Sequence, residues 1–119
     1  MKIAISSLGR DLDSQIDPRF GRAAYILIVD TVSNGVEVID NSENINAFKG
    51  AGIQAAAMLS KKGAEVLLTG YCGPNAYKTL QAAGVKVVND VSGKVKDAVD
   101  AFNEGNIEYA DSANAEAHW

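Results

Sequence analysis

The stretch VEVIDNSENINAFKGAGIQAAAMLSKKGAEVLLT, residues 36–69, changes character part-way along. Its first five residues, Val36–Asp40, alternate with period two, the signature of a strand with one face covered. From Gly50 to Lys62 the residues are strong helix formers, two lysines close the last turn, and Gly63 stands where a helix is capped. Glu65–Thr69 (EVLLT) is a strand again. A chain that alternates in this way favours parallel pairing through right-handed crossovers. The fold is therefore decided by what flanks this stretch.

Upstream, Lys2–Ser6 (KIAIS) reads as a short strand. Residues 7–23 form a polar loop containing Gly9, Pro18 and Gly21. Ala24–Asp30 (AYILIVD) is too apolar for an edge and reads as a central strand. Ser33-Asn34-Gly35 is a hairpin turn, because Asn-Gly tolerates positive φ. Val36–Asp40 pairs back, so the first part is an antiparallel meander. Downstream, residues 42–49 are a loop. Gly73-Pro74 opens a helix that runs through Ala83, with proline at an early position where its missing N–H costs nothing. Gly84 ends it, Val85–Val88 is a strand, and Ser92–Asn103 is a helix with Val95, Ala98, Val99 and Phe102 at i, i+3, i+4, i+7 spacing. These elements predict an α/β fold, a mixed five-stranded sheet (β-meander then βαβαβ) with helices on both faces.

Composition narrows the function classes. A chain of 119 residues, 47% hydrophobic and 22% charged, suits one domain. No apolar run approaches the ~20 residues of a membrane span. The four-residue apolar core at the N-terminus is too short for a signal peptide, so a cytoplasmic protein without membrane partners is expected. One cysteine, Cys72, excludes an internal disulfide and a zinc site of several thiolates. All eleven Lys and Arg lie within residues 1–102, with eleven of the fifteen Asp and Glu, so the body is formally neutral. Glu104, Glu108, Asp111 and Glu116 carry the net charge of −4. We expect residues 1–103 to form a single ligand-binding domain and residues 104–119 an acidic, flexible tail.

Ligands of open α/β sheets bind outside the carboxyl ends of the parallel strands. Three loops should converge there: residues 7–23, 41–52 and 70–75. Two of them end in glycine-rich helix N-termini, Lys49-Gly50-Ala51-Gly52 and Gly73-Pro74-Asn75, which attract anions. Arg19, Arg22 and Lys49 make that edge a cationic cup in a neutral body.

Sharper readings fare less well. Gly50-Ala-Gly52-Ile-Gln-Ala55 matches a dinucleotide fingerprint, but Asp40 lies ten residues back and no acid closes the next strand to hold a ribose. Its alternative is close packing of a helix on the sheet. Asp11-x-Asp13-x-Gln15-x-Asp17 resembles the start of a calcium loop, but Ile16 replaces the turn glycine and Arg22 the bidentate glutamate. Asp17 then serves to fix Arg19 or Arg22. The one histidine, His118, stands in the tail, so Cys72 lacks a base for nucleophilic catalysis. A helix N-terminus at Gly73 would lower the Cys72 pKa and make it a metal ligand; the alternative is a small residue filling a tight turn. Scattered lysines and few aromatics argue against nucleic acid.

Residues 17–24 (DPRFGRAA), 50–53 (GAGI) and 69–76 (TGYCGPNA) resemble the dinitrogenase iron–molybdenum cofactor biosynthesis family, in the family's order and spacing, over about residues 1–103. The resemblance implies a ribonuclease H-like fold. It also implies a carrier, not an enzyme, for an anionic metal–sulfur cluster. For a small stand-alone member that means a molybdenum–copper sulfide, or another molybdenum or iron–sulfur cluster, held largely without cysteine ligation. On this reading Arg19, Phe20, Gly21, Arg22, Lys49, Gly50, Ala51, Gly52, Ile53, Cys72, Gly73, Pro74 and Asn75 line the cup. The arginines meet the anion and Phe20 shields it from water. Arg19 and Arg22 pairing only with Asp17 and neighbouring acids is the alternative. Other cluster-handling proteins are the expected partners of a monomer. The competing function is a regulatory domain or enzyme using the same cup for a phosphate or nucleotide.

Overall fold

In the computed structural model, which describes residues 1–42 and 50–114, the strands are β1 (Lys2–Ser7), β2 (Tyr25–Asp30), β3 (Val36–Asp40), β4 (Val66–Leu68) and β5 (Lys86–Val88). The helices are α1 (Ala51–Lys61), α2 (Pro74–Ala82) and α3 (Val95–Asn103). Strand order is β3-β2-β1-β4-β5. β1 and β2, and β2 and β3, pair antiparallel, while β1 with β4 and β4 with β5 pair parallel. This is the mixed five-stranded sheet expected from the sequence.

The apolar runs are continuous because both faces of the sheet are covered. Ala4, Ile26, Ile28, Leu67 and Val87 point to one face, where α1 and α2 pack through Ala55, Ala56, Leu59, Ala76 and Leu80. Ile3, Ile5, Leu27, Val29, Val66, Leu68 and Val88 point to the other, against Val95, Ala98 and Val99 of α3 and Ile16 of the first loop. β3 is an edge, and its Val36 stays 40% exposed.

Two boundaries differ from expectation. The last helix starts at Val95 rather than Ser92, because Gly93 has φ of 90°, outside the helical region, and its carbonyl accepts the Ile16 N–H at 2.8 Å. The acidic segment from residue 104 is tied down as far as Asn114. The Ala110 N–H reaches the Val87 carbonyl at 2.7 Å, and Tyr77 Oη donates to the Ala110 carbonyl at 3.0 Å. Ile107 packs on the α3 face. Hydrogen bonds of this kind leave no periodic trace in a sequence.

Candidate functional site

The carboxyl ends of β1 and β4 are held together by a small buried polar knot. Ser6 Oγ and Thr69 Oγ1 lie 2.7 Å apart, and Ser6 Oγ donates to the Asp17 carbonyl at 2.7 Å. Asp17, 1% exposed, then fastens the loop that follows. Its Oδ1 accepts the Arg19 N–H and its Oδ2 the Ala24 N–H, each at 3.1 Å. Asn41 Nδ2 secures the far side of the same loop, donating to the carbonyls of Gly21 at 3.1 Å and Ala23 at 2.9 Å. This loop thus has a fixed shape without belonging to the sheet.

It docks on the 70–72 crossing. The Tyr71 N–H donates to the Pro18 carbonyl at 2.6 Å, and the Phe20 N–H donates to the Tyr71 carbonyl at 3.2 Å. Glycines allow the approach. A Cβ on Gly70 would stand 2.8 Å from Pro18 Cα. One on Gly21 would stand 2.6 Å from the backbone of Gly52, and one on Gly52 would stand 2.9 Å from the Ala76 Cβ. Real side-chain carbons do not come so close, so Gly21, Gly52 and Ala76 form a stack that only missing side chains permit. The three motif segments therefore meet in space. The small residues of GAGI serve packing, but of the helix against α2 and the first loop rather than against the sheet.

The cup residues fall into two groups. Arg19 is exposed and Arg22 half-buried, with Arg19 Nε 3.6 Å from Asp17 Oδ1. Gly50 is the N-cap of α1 with φ of 81°, and Gly73 the N-cap of α2; neither helix start has a side-chain cap hydrogen bond. Their first turns, Ala51-Gly52-Ile53 and Pro74-Asn75, present backbone N–H groups (proline excepted) beside the arginine loop. Ile53 and Tyr71 are 44% and 40% exposed and supply apolar surface. Lys49 and His118 lie outside the described residues.

Phe20 and Cys72 belong elsewhere. Phe20, expected as a wall of the cup, is 2% exposed and packs in the core with Ile26, Ala55 and Cys72. Arg19 beside it stays exposed and Arg22 half-buried, while the ring turns in. The Cys72 side chain is wholly buried, and that burial pushes its thiol up to about 12, opposite to the lowering expected from the helix start. Desolvation of a thiolate outweighs the helix dipole here. The carboxylates of the calcium-loop reading diverge: Asp11 accepts from Asp13 N–H and Ser14 Oγ, whereas Asp17 faces its own loop. Among the described residues no group of three or more His, Cys, Asp and Glu is placed to hold a metal ion. No described helix is long and apolar enough to cross a membrane.

The dinitrogenase iron-molybdenum cofactor family matches residues 1–105. The chain belongs to this family. The apo form of the orange protein from Desulfovibrio gigas is 46% identical, with 96% of each chain covered and a TM-score of 0.93. A DUF35-family protein from Thermotoga, solved by NMR, is 43% identical over 97% of each chain, with a TM-score of 0.83. A protein from Methanocaldococcus jannaschii is 22% identical and shares the fold, with a TM-score of 0.70 over 94% of this chain and 96% of that one. No curated protein matches.

Tyr71, within the third of the converging loops, pairs with the arginine loop. Asn114, which bonds to Gly70 and Cys72 from the C-terminal segment, carries no signal in the sequence.

Proposed function

We propose that the protein binds and carries an anionic metal–sulfur cluster as its cargo, without catalysis, at the edge formed by Arg19, Arg22 and the first turns of α1 and α2. A molybdenum–copper sulfide is the cluster that the small members of the family suggest. The observation that carries this reading is the Gly21–Gly52–Ala76 stack, which brings two helix starts without side-chain caps beside the arginine loop.

A sulfide-rich cluster is polyanionic, large and soft. It is matched by diffuse positive potential, N–H donors to sulfur and apolar surface. Arg19 and Arg22 supply the first, Ala51, Gly52, Ile53 and Asn75 the second, and the Ile53 and Tyr71 side chains the third. Phe20 supports the loop from beneath. Cys72, buried and protonated, is left out of the ligand set, so we assign the hold to electrostatics and N–H···S contacts. Membership of a cofactor family and the likeness to the orange protein support the choice of cargo.

The test is purification without oxygen, followed by metal and sulfide analysis and a visible spectrum, before and after incubation with copper and tetrathiomolybdate. Uptake of a coloured cluster is expected. Arg19→Ala with Arg22→Ala should weaken retention at least tenfold while circular dichroism is unchanged. A parent that stays colourless defeats the reading, and equal retention by the double variant moves the site elsewhere. Helix starts without side-chain caps also suit phosphate. Thermal stabilisation by nucleotides or phosphosugars, with none by thiomolybdate, would favour that rival.

A further inference from the structure

We infer that Asn114 is a positioning residue for this site, an inference that rests on the cluster-binding reading above. The crossing from β4 to α2, Gly70–Cys72, is one extended strip with two edges. Tyr71 turns one edge to the arginine loop, donating to Pro18 and accepting from Phe20. Gly70 and Cys72 turn the other way, where the chain leaving β5 reaches only as far as Gly70, the Asp90 N–H donating to the Gly70 carbonyl at 2.9 Å. Asn114 covers the rest, at Cys72, and adds a second donor at Gly70. Its backbone N–H donates to the Cys72 carbonyl at 3.1 Å, and its Oδ1 accepts the Cys72 N–H at 2.8 Å. Its Nδ2 donates to the Gly70 carbonyl at 2.9 Å and to Asp90 Oδ1 at 3.3 Å. One asparagine therefore continues past Gly70, at Cys72, the pairing that the chain after β5 begins.

The chemistry requires an amide. The side chain must accept from one N–H and donate to a carbonyl and a carboxylate; a carboxylate side chain has no proton to give, and alanine neither donates nor accepts. The segment before it is delivered by backbone anchors: Ala110 on Val87, and Ser112, whose carbonyl accepts Asn89 Nδ2 at 3.3 Å. The strip ends in Gly73, the N-cap of α2. Its edges therefore set where the Asn75 N–H points and where the Arg19 loop rests. Asn114 lies beyond the residues 1–105 that the family matches, so the device belongs to this chain's C-terminal segment rather than to the matched family region.

The experiment uses the full chain with Asn114→Ala and, separately, Asn114→Asp, which keeps the acceptor for Cys72 and loses the donors. Two quantities are read: the rate at which a neutral disulfide reagent modifies Cys72 in the folded protein, and the titration with copper and tetrathiomolybdate by visible absorption. Asn114→Ala should raise the Cys72 rate at least tenfold, weaken cluster retention about tenfold, the scale of one net hydrogen bond lost, and shift the absorption of what remains. Asn114→Asp, which sets a carboxylate against the Gly70 carbonyl and Asp90, should raise the rate and weaken retention at least as much as Asn114→Ala, and it carries the test if Asn114→Ala does not fold. Parental Cys72 rates in a folded variant overturn the inference. So do raised rates with parental affinity and spectrum, which would make Asn114 a fastener of the C-terminal segment and nothing more. A parent that takes up no cluster sinks the cluster reading, and with it any positioning role toward a cluster; the Cys72 rates then show separately whether Asn114 holds the strip.

Discussion

Replacing Gly21 by alanine tests the packing that brings the three motifs together. Gly21 does not sit in the left-handed region, so alanine suits its backbone and the penalty is steric alone. The new Cβ would lie 2.6 Å from the Gly52 Cα and N and 3.0 Å from the Ala51 carbonyl carbon. Carbon contacts settle near 3.5 Å, so the loop and the first turn of α1 must part by roughly 1 Å. The neighbours are backbone and cannot swing aside as a side chain can. Overpacking of this kind costs ~1–3 kcal/mol, and rigid neighbours place it at about 2 kcal/mol or above. With an unfolding entropy of ~2.1 cal/mol/K per residue over 119 residues, that lowers the melting temperature by about 8 °C. Thermal unfolding followed by circular dichroism measures the shift, and the copper–thiomolybdate titration measures the effect on the edge. Gly63→Ala is the control. Gly63 has φ of 78° and nothing within 4 Å of a Cβ, so alanine there costs backbone strain far from the edge, lowering stability and leaving retention intact. A Gly21→Ala protein that melts within about 2 °C of the parent and retains cluster equally would refute the stack as the organiser of the site.

Three other outcomes follow from the same geometry. Asp17→Asn should lower stability by ~2–3 kcal/mol in urea unfolding, because a buried carboxylate accepting two backbone N–H groups gives way to an amide that can accept only one; a midpoint near the parent's would show the loop is held otherwise. Cys72→Ser should keep most of the bound metal, and loss of metal with unchanged circular dichroism would make the thiolate a ligand after all. The buried thiol also sets a pH dependence: its folded pKa, about 12, lies above the reference value of 9.0. That contribution is present below pH 9 and is lost as pH rises toward 12, since the unfolded chain ionises first. The parent should lose stability between pH 8.5 and 10.5, at up to ~1.4 kcal/mol per pH unit, and a Cys72→Ala variant should lack that slope.

Much of the fold was readable because local signals and burial agree. Runs such as Ile26–Val29 and Val66–Leu68 are apolar throughout since helices cover both faces, and Gly63 and Gly84 end their helices at φ near 80°. The start of α3 was misplaced because Ser92-Gly93 looks like a helix entry, while Gly93 is instead spent on a left-handed bridge to Ile16. At the edge, glycines betrayed the close approaches. The direction of Phe20 was not legible, because an irregular loop has no period to say which side chain turns inward. The Cys72 thiol went the opposite way from its local context because burial is a property of the whole fold. Asn114 works through amide hydrogen bonds at a separation of 42 positions from Cys72, which no local pattern records.

The Gly21–Gly52–Ala76 stack also orders events in time. Its members are drawn from three well-separated parts of the chain, and each closes a loop that must be stitched before the next contact exists. No nascent piece ending before Ala76 contains a complete edge, so an emerging polypeptide has nowhere to put a cluster. If the proposed cargo binds there, loading follows folding, and the cluster is delivered to a finished vessel rather than serving as a template for building one.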